Sequence, residues 1–185
     1  FNPKYAWETN IKFEVALEIG IFNDRLFFTT GWYNNKSSNQ LIGLPLPGTT
    51  GFSSLQANLD ATVQNKGFEF TLRSVNFETK DFNWTTNINL TMAQNKLLKF
   101  PNLEGSTYAN QLVIGEPLNI QKVYHFTGVD PQTGIYTFED VNGDGLLTVD
   151  DKKTIMDFNP EYFGGLQNTL KYKNWQLDFL FQFVK

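Results

Sequence analysis

From Trp7 to Ile21 the chain alternates without a break. Trp7, Thr9, Ile11, Phe13, Val15, Leu17, Ile19 and Ile21 fall on one parity; Glu8, Asn10, Lys12, Glu14, Ala16, Glu18 and Gly20 fall on the other. A period of two places successive side chains on opposite faces of a strand, so the pattern predicts a strand over 6–21. The same reading predicts five more. One spans 25–34, with Leu26, Phe28, Thr30 and Trp32 on one face. A third spans 63–76, with Phe68, Phe70 and Leu72 opposite Glu69, Thr71 and Arg73. A fourth opens at Phe82 and sets Trp84, Ile88, Leu90 and Met92 against Asn83, Asn87 and Asn89. A fifth spans 161–172, and a sixth carries Trp175, Leu177, Phe179, Phe181 and Phe183 on one side.

The longer of these exceed the ~5–6 residues of a typical soluble strand and reach the roughly 9–11 needed to cross a bilayer at a tilt. Short joins near Asn23, Thr79 and Lys173 alternate with long connections over 37–61 and 96–160, the first punctuated by Pro45, Pro47, Gly48 and Gly51. Short turns on one side and long loops on the other is the pattern of outer-membrane barrels. Trp7, Phe22, Trp32, Tyr33, Phe82, Tyr172 and Trp175 stand at strand ends, where interfacial girdles form. The predicted fold class is therefore all-β, an antiparallel section of a transmembrane β-barrel with long extracellular loops. A soluble β-sandwich also alternates, and parity alone does not say whether the apolar face points in or out. Strand length, loop asymmetry and strand-end aromatics favour the membrane.

Composition narrows the choice. Aromatic residues make up 16% of the chain, 18 of them Phe, as a large outward apolar face requires. Mean hydropathy is −0.34, and no apolar run approaches the ~18 residues of a helical span; a polar lumen face accounts for the low average. A net charge of −4 argues against nucleic acid as a partner, since phosphate binding needs a basic surface. With no Cys, thiol catalysis and Cys-ligated zinc are excluded. The final alternating run continues to the last residues, and half a set of strands does not close a barrel. The expectation is one section of a larger protein.

The sharpest local motif is residues 140–151. Asp140, Asn142 and Asp144 offer side-chain oxygens at positions 1, 3 and 5; Gly145 sits at the sharp turn; Leu146 would give its carbonyl, Thr148 its hydroxyl or a water, and Asp151 holds position 12. Six to eight oxygens suit calcium, so these residues are the candidate metal ligands, with a structural, loop-stapling role. An EF-hand has Glu at position 12 and a helix before the loop, whereas Gly134 to Glu139 reads extended. The competing reading is an empty acidic turn, because Asn-Gly and Asp-Gly are turn formers.

Nothing else points to chemistry. His125 is the single histidine and has no partner motif, and no distinctive carboxylate pair stands out, so an enzyme is not expected and no catalytic residue is assigned. Lys12, Glu14, Asn87 and Asn89 suit a wet lumen. Phe100, Tyr108, Tyr124, Tyr136 and Phe138 in the long connection are candidates for stacking on sugar rings or for packing that loop. The glycosylation-like triplets at Asn35, Asn83 and Asn89 are treated as chance.

A set of motifs spread along the chain carries a family resemblance: Asn2-Pro3, with Trp7-Glu8-Thr9; Phe22-Asn23-Asp24-Arg25-Leu26; Tyr33-Asn34-Asn35-Lys36; Pro45 and Pro47, with Gly51-Phe52-Ser53; Asn65-Lys66-Gly67-Phe68-Glu69; Ile114-Gly115-Glu116-Pro117-Leu118; the 140–151 loop; Asn159-Pro160; and Asn174-Trp175. In this order the chain resembles the C-terminal part of the barrel of SusC/RagA-type TonB-linked outer-membrane transporters (TonB-dependent receptors) of Bacteroidota. The resemblance implies residence in the cell outer membrane and energy-dependent import of glycans or peptides in polysaccharide utilisation. Its implied partners are a SusD-like surface lipoprotein and, through the N-terminal part not present here, the TonB complex. The alternative is a secreted β-rich glycan-binding module with a calcium-stapled loop.

Overall fold

The computed structural model describes residues 5–45, 49, 51 and 53–185. Asn2-Pro3, Pro47, Gly48 and Phe52, used in the sequence reading, lie outside them. Four long strands follow one another in antiparallel pairs: β1 (Thr9–Ile21), β2 (Leu26–Pro45), β3 (Ser54–Glu78) and β4 (Phe82–Lys99). After the long connection come β9 (Phe163–Tyr172) and β10 (Trp175–Val184), giving one six-stranded sheet in the order β1-β2-β3-β4-β9-β10. The connection itself carries β5 (Ile120–Val123) paired with β8 (Thr154–Asp157), and β6 (Phe126–Val129) paired with β7 (Tyr136–Phe138). Among the described residues no helix is long and apolar enough to cross a membrane.

The six predicted strands all form, but one predicted connection is corrected. Most of 37–61 is strand: β2 runs on to Pro45 and β3 begins at Ser54. Ser37, Ser38, Asn39 and Gln40 are polar on both faces, so they carry no period-two signal, yet ladder pairing holds them in register up to Pro45 opposite Ser54. One irregularity at Ser38/Gln40 leaves Asn39 at φ 55°, and the Asn58 amide donates to its carbonyl at 2.8 Å. The stretch 96–160 is likewise less irregular than its sequence suggests, holding two small antiparallel pairs and 3-10 turns at Leu103–Gly105 and Val149–Asp151.

The short joins close as turn chemistry dictates. Phe22, Asn23 and Asp24 all adopt left-handed backbone (φ 56°, 55° and 61°) between Ile21 and its partner Leu26. Thr79 caps the second turn, its N–H donating to the Phe82 carbonyl at 2.7 Å while its hydroxyl accepts from the Phe82 N–H at 3.0 Å. Lys173, at φ 52°, joins Tyr172 to Trp175.

Among the described residues a dry core forms only where the long connection folds onto the sheet. Leu97 and Phe100 are buried with Ala61, and Leu103, Tyr108 and Leu112 pack against them. The backbone of 113–118 lies along the end of β4, with Leu97 N–H donating to Glu116 O at 2.9 Å and Gly115 N–H to Leu97 O at 2.8 Å. Lower on the same face Tyr33 lies over Gly67, its register partner. A Cβ at Gly67 would stand 2.5 Å from the Met92 carbonyl oxygen and 2.7 Å from the Tyr33 hydroxyl. Overpacking of this kind costs about 1–3 kcal/mol. G67A is therefore expected to lower the thermal unfolding midpoint of the folded barrel in detergent, whereas G134A, which leaves open space around the new methyl, perturbs only its own turn.

Candidate functional site

The register separates the sheet into two chemically opposite faces. One row of register partners reads Ile21, Leu26, Ser74, Thr86, Asn168, Phe179 across all six strands; the next reads Ile19, Phe28, Leu72, Ile88, Leu166, Phe181. These rows carry the apolar parity. The opposite face bears Lys12, Glu14, Glu18, Glu69, Arg73, Asn87, Asn89, Gln167 and Asp178, which places the four residues expected in a wet lumen together on it. The apolar face is uncovered within the chain: Leu17 is 54% exposed and Phe181 62%.

The apolar belt drifts across the rows. On β1 it runs from Ile11 to Ile21, with its midpoint at Ala16; on β10 it runs from Trp175 to Phe183, with its midpoint at Phe179. Ile21 and Phe179 share a row, so the midpoint moves by 21 − 16, five residues, over five strand-to-strand steps. One residue per step is a rise of about 3.3 Å over about 4.8 Å, a strand tilt of about 35°; membrane barrels tilt at roughly 35–45°. At that tilt the ten residue steps on β1 and eight on β10 give heights of about 27 and about 22 Å along the normal. The outward band of an outer-membrane barrel is about 25 Å tall.

The strand-end aromatics divide. Phe82, Tyr172 and Trp175 fall on one row at the short-turn edge, with Trp175 80% exposed. Tyr33 departs from the girdle reading, because it has the polar-face parity and covers Gly67. Sequence reasoning missed one feature of the belt: Ser74, Thr86 and Asn168 are polar within it. Their groups satisfy one another. Asn168 Oδ1 accepts from Trp84 Nε1 at 2.9 Å and from Thr86 Oγ1 at 2.7 Å; Thr86 accepts from Asn76 Nδ2 at 2.6 Å; Ser74 donates to Asn76 Oδ1 at 2.8 Å. Paired polar groups are what hydrocarbon tolerates.

In the long connection the candidate metal-ligating residues form a closed turn. Asp140 accepts the N–H of Gly143 at 2.8 Å and of Gly145 at 2.7 Å; Asn142 accepts from Asp144 N at 3.0 Å, and Asp144 from Leu146 N at 2.7 Å. Asp151 is fully buried, taking Val141 N at 2.9 Å, Asn142 N at 3.4 Å and Thr148 N at 2.8 Å, with the Thr148 hydroxyl at 3.4 Å. Among the described residues no three His, Cys, Asp or Glu side chains converge as a metal cluster. The donor set is all hard oxygen, as calcium requires. A carboxylate has about four acceptor positions, so Asp140 and Asp144 retain capacity, whereas the loop's own N–H and hydroxyl groups occupy Asp151.

The loop aromatics are mostly committed to packing. Phe100 and Tyr108 meet at 5.8 Å in the dry core, and Lys152 Nζ lies 5.0 Å above the Tyr124 ring, which also packs on Phe138 at 5.7 Å. Tyr136 keeps an open face at 67% exposure. His125 pairs with Glu139 at 2.8 Å on the surface.

The Thr148 N–H, ahead of those of Asn142 and Val141, holds the Asp151 carboxyl below the ordinary carboxylate range, although burial pushes it the other way. A carboxyl depressed in this way contributes stability above its unfolded pKa and loses it as pH falls through the lower folded value. The closed turn should therefore survive acidification through the ordinary carboxylate range and open only below it. In D151N, amide exchange across 141–148 is expected to accelerate at least about tenfold at neutral pH, and the acid transition to disappear, as read by hydrogen-exchange mass spectrometry.

Comparison with known proteins adds to this geometry. The family profile described as TonB dependent receptor-like, beta-barrel matches residues 1–183. TonB-dependent receptor P26 of Formosa agariphila is 31% identical over 98% of the chain and 20% of the relative; TonB-dependent receptor SusC of Bacteroides thetaiotaomicron is 24% identical over 97% of the chain and 19% of the relative. In fold, the structure of the RagAB peptide transporter superposes with a TM-score of 0.77 at 23% identity, covering 99% of this chain and 22% of that one. The chain thus spans about a fifth of the relatives it matches. These relatives are named as receptors and as a transporter.

Proposed function

This chain belongs to the TonB dependent receptor-like β-barrel family, and on that premise we propose that it forms one section of the wall of an outer-membrane nutrient importer. The observation that carries this reading is the uncovered apolar belt, with the height and tilt of a bilayer-spanning wall. Among the described residues the outer edges of β1 and β10 have no partner strand, and each unpaired backbone group costs several kcal/mol in hydrocarbon. Further strands of a larger receptor would close both.

The polar face then lines the passage, and the cargo is an oligosaccharide or peptide taken by binding and gated passage, with no covalent step. Oligosaccharide is the favoured class, since Asn, Gln and Thr outnumber the charged residues on that face and hydrogen-bond hydroxyls without demanding charge. The fold's likeness to a transporter named for peptides keeps peptide as the competing cargo. A SusD-like lipoprotein would cover the long-connection side, and TonB would act through a part of the receptor other than this wall.

Calcium belongs to the same proposal. Asp140, Asn142 and Asp144, with the Leu146 carbonyl and Thr148, would hold it, and Asp151 would brace the loop behind them. The ion would tie the loop's charged oxygens together and stiffen a connection that has little core of its own.

Two measurements test these readings. In the complete receptor in bilayers containing brominated lipid, F13W is expected to be strongly quenched relative to the parent and E14W to be little affected. Equal protection at both positions would mean a protein core and would return the chain to the secreted binding-module reading. Separately, calcium should slow proteolysis within 96–160 several-fold, and D140N/D144N should abolish that protection. Identical cleavage with calcium and with chelator would remove calcium from the account.

A further inference from the structure

The dipeptide Asn-Lys occurs three times, at 35–36, 65–66 and 95–96. The ladder places the three asparagines opposite one another, Asn35 with Asn65 and Asn65 with Asn95, and Asn95 Nδ2 donates to Asn65 Oδ1 at 2.7 Å. Because the strands are antiparallel, the lysines interleave on the apolar-parity face. One row reads Lys36, Gln64, Lys96 and the row below it Asn34, Lys66, Gln94. All three lysines are exposed. The next row down is Trp32, Phe68, Met92, so the cations begin where the belt ends on these strands.

These six positions hold three cations and no carboxylate, in a chain of net charge −4. Lys36 and Lys96 are two strand spacings apart, about 10 Å. A cavity of about 610 Å³ opens here, lined by Gln64, Lys66, Gln94 and Lys96, with Glu116, Asp157 and Glu161 on its far wall. Two of those acids are engaged elsewhere: Glu161 with Lys185 Nζ at 2.8 Å, and Asp157 with the Asn159 N–H and amide at 2.9 and 2.7 Å. Lys66 and Lys96 therefore line the opening with Gln64 and Gln94 beside them, Glu116 is the remaining acid of the lining, and Lys36 stands on the exposed surface in the same row as Lys96.

We propose that this patch binds the phosphorylated sugar headgroup of an outer-leaflet glycolipid. Ammonium groups at headgroup depth attract phosphate, while Gln64 and Gln94 suit sugar hydroxyls. The apolar belt directly below receives the acyl chains. The site rests on the reading that the apolar face meets lipid with the long connections on the outer side.

The test uses the complete receptor in phosphatidylcholine nanodiscs doped with bisphosphorylated lipid A or its enzymatically dephosphorylated form, with retained lipid counted by native mass spectrometry. The wild type is expected to retain the phosphorylated form at least about tenfold better. K36Q/K66Q/K96Q should lose that preference, and K12Q, on the polar face, should keep it. Equal retention of both lipids by the wild type, or an unchanged preference in the triple variant, overturns the site. Competition of retained lipid A by free phosphorylated disaccharide at matched concentration also overturns it, because the acyl chains would then contribute nothing. F13W in matching discs made with brominated phosphatidylcholine separates the causes: quenching without lipid preference rejects the lysine site alone, and no quenching rejects the wall reading beneath it.

Discussion

Lateral pairing of the backbone is the constraint on which this structure depends. In hydrocarbon a strand has no water to turn to, so every N–H and C=O must be met by a neighbour. Between the two outer edges of the sheet the ladders meet that demand row by row, and they continue past the apolar belt into stretches whose side chains ask for nothing. β2 and β3 keep their register as far as Pro45 and Ser54 because the ladder, once in step, propagates. Side chains then divide by parity, and one face can be apolar without a core behind it. Only three apolar residues are buried among those described, all of them where the long connection leans on the wall.

How much of this was legible in the sequence differs by element. β1 and β10 were plain, because each presents a long apolar face, set against polar or small residues on β1 and against Gln176, Asp178 and Gln182 on β10. The upper parts of β2 and β3 were not, because Ser37, Ser38 and Gln40 carry no alternation and are held by partners distant in the chain. Tyr33 reads as a girdle residue by its place near Trp32, and only the register reveals that it faces inward over Gly67. Asn168 looks misplaced in an apolar strand until Trp84 and Thr86 are seen on its oxygen.

The 140–151 loop shows the same division. Its spacing of oxygens is local and could be read directly. The capture of Asp151 by the N–H groups of Val141 and Thr148 depends on the loop closing, which spacing alone does not describe. Likewise the three Asn-Lys pairs are ordinary dipeptides until antiparallel pairing sets them side by side. Chemistry held within about twelve residues was visible, and chemistry assembled across strands was not.

The stagger of one residue per strand has a consequence for how such a wall changes over time. Circumference and stagger are coupled in a closed barrel, so a segment with this pitch is interchangeable only with others of the same pitch. A single inserted residue within β1 would exchange its lipid and lumen faces and also shift its neighbours in height, a double fault that no local repair removes. Insertions in the connections beyond β2 and β4 cost little of either kind. Divergence is thereby channelled to one rim of the molecule, and a lineage can vary that rim while its wall remains a shared, exchangeable part.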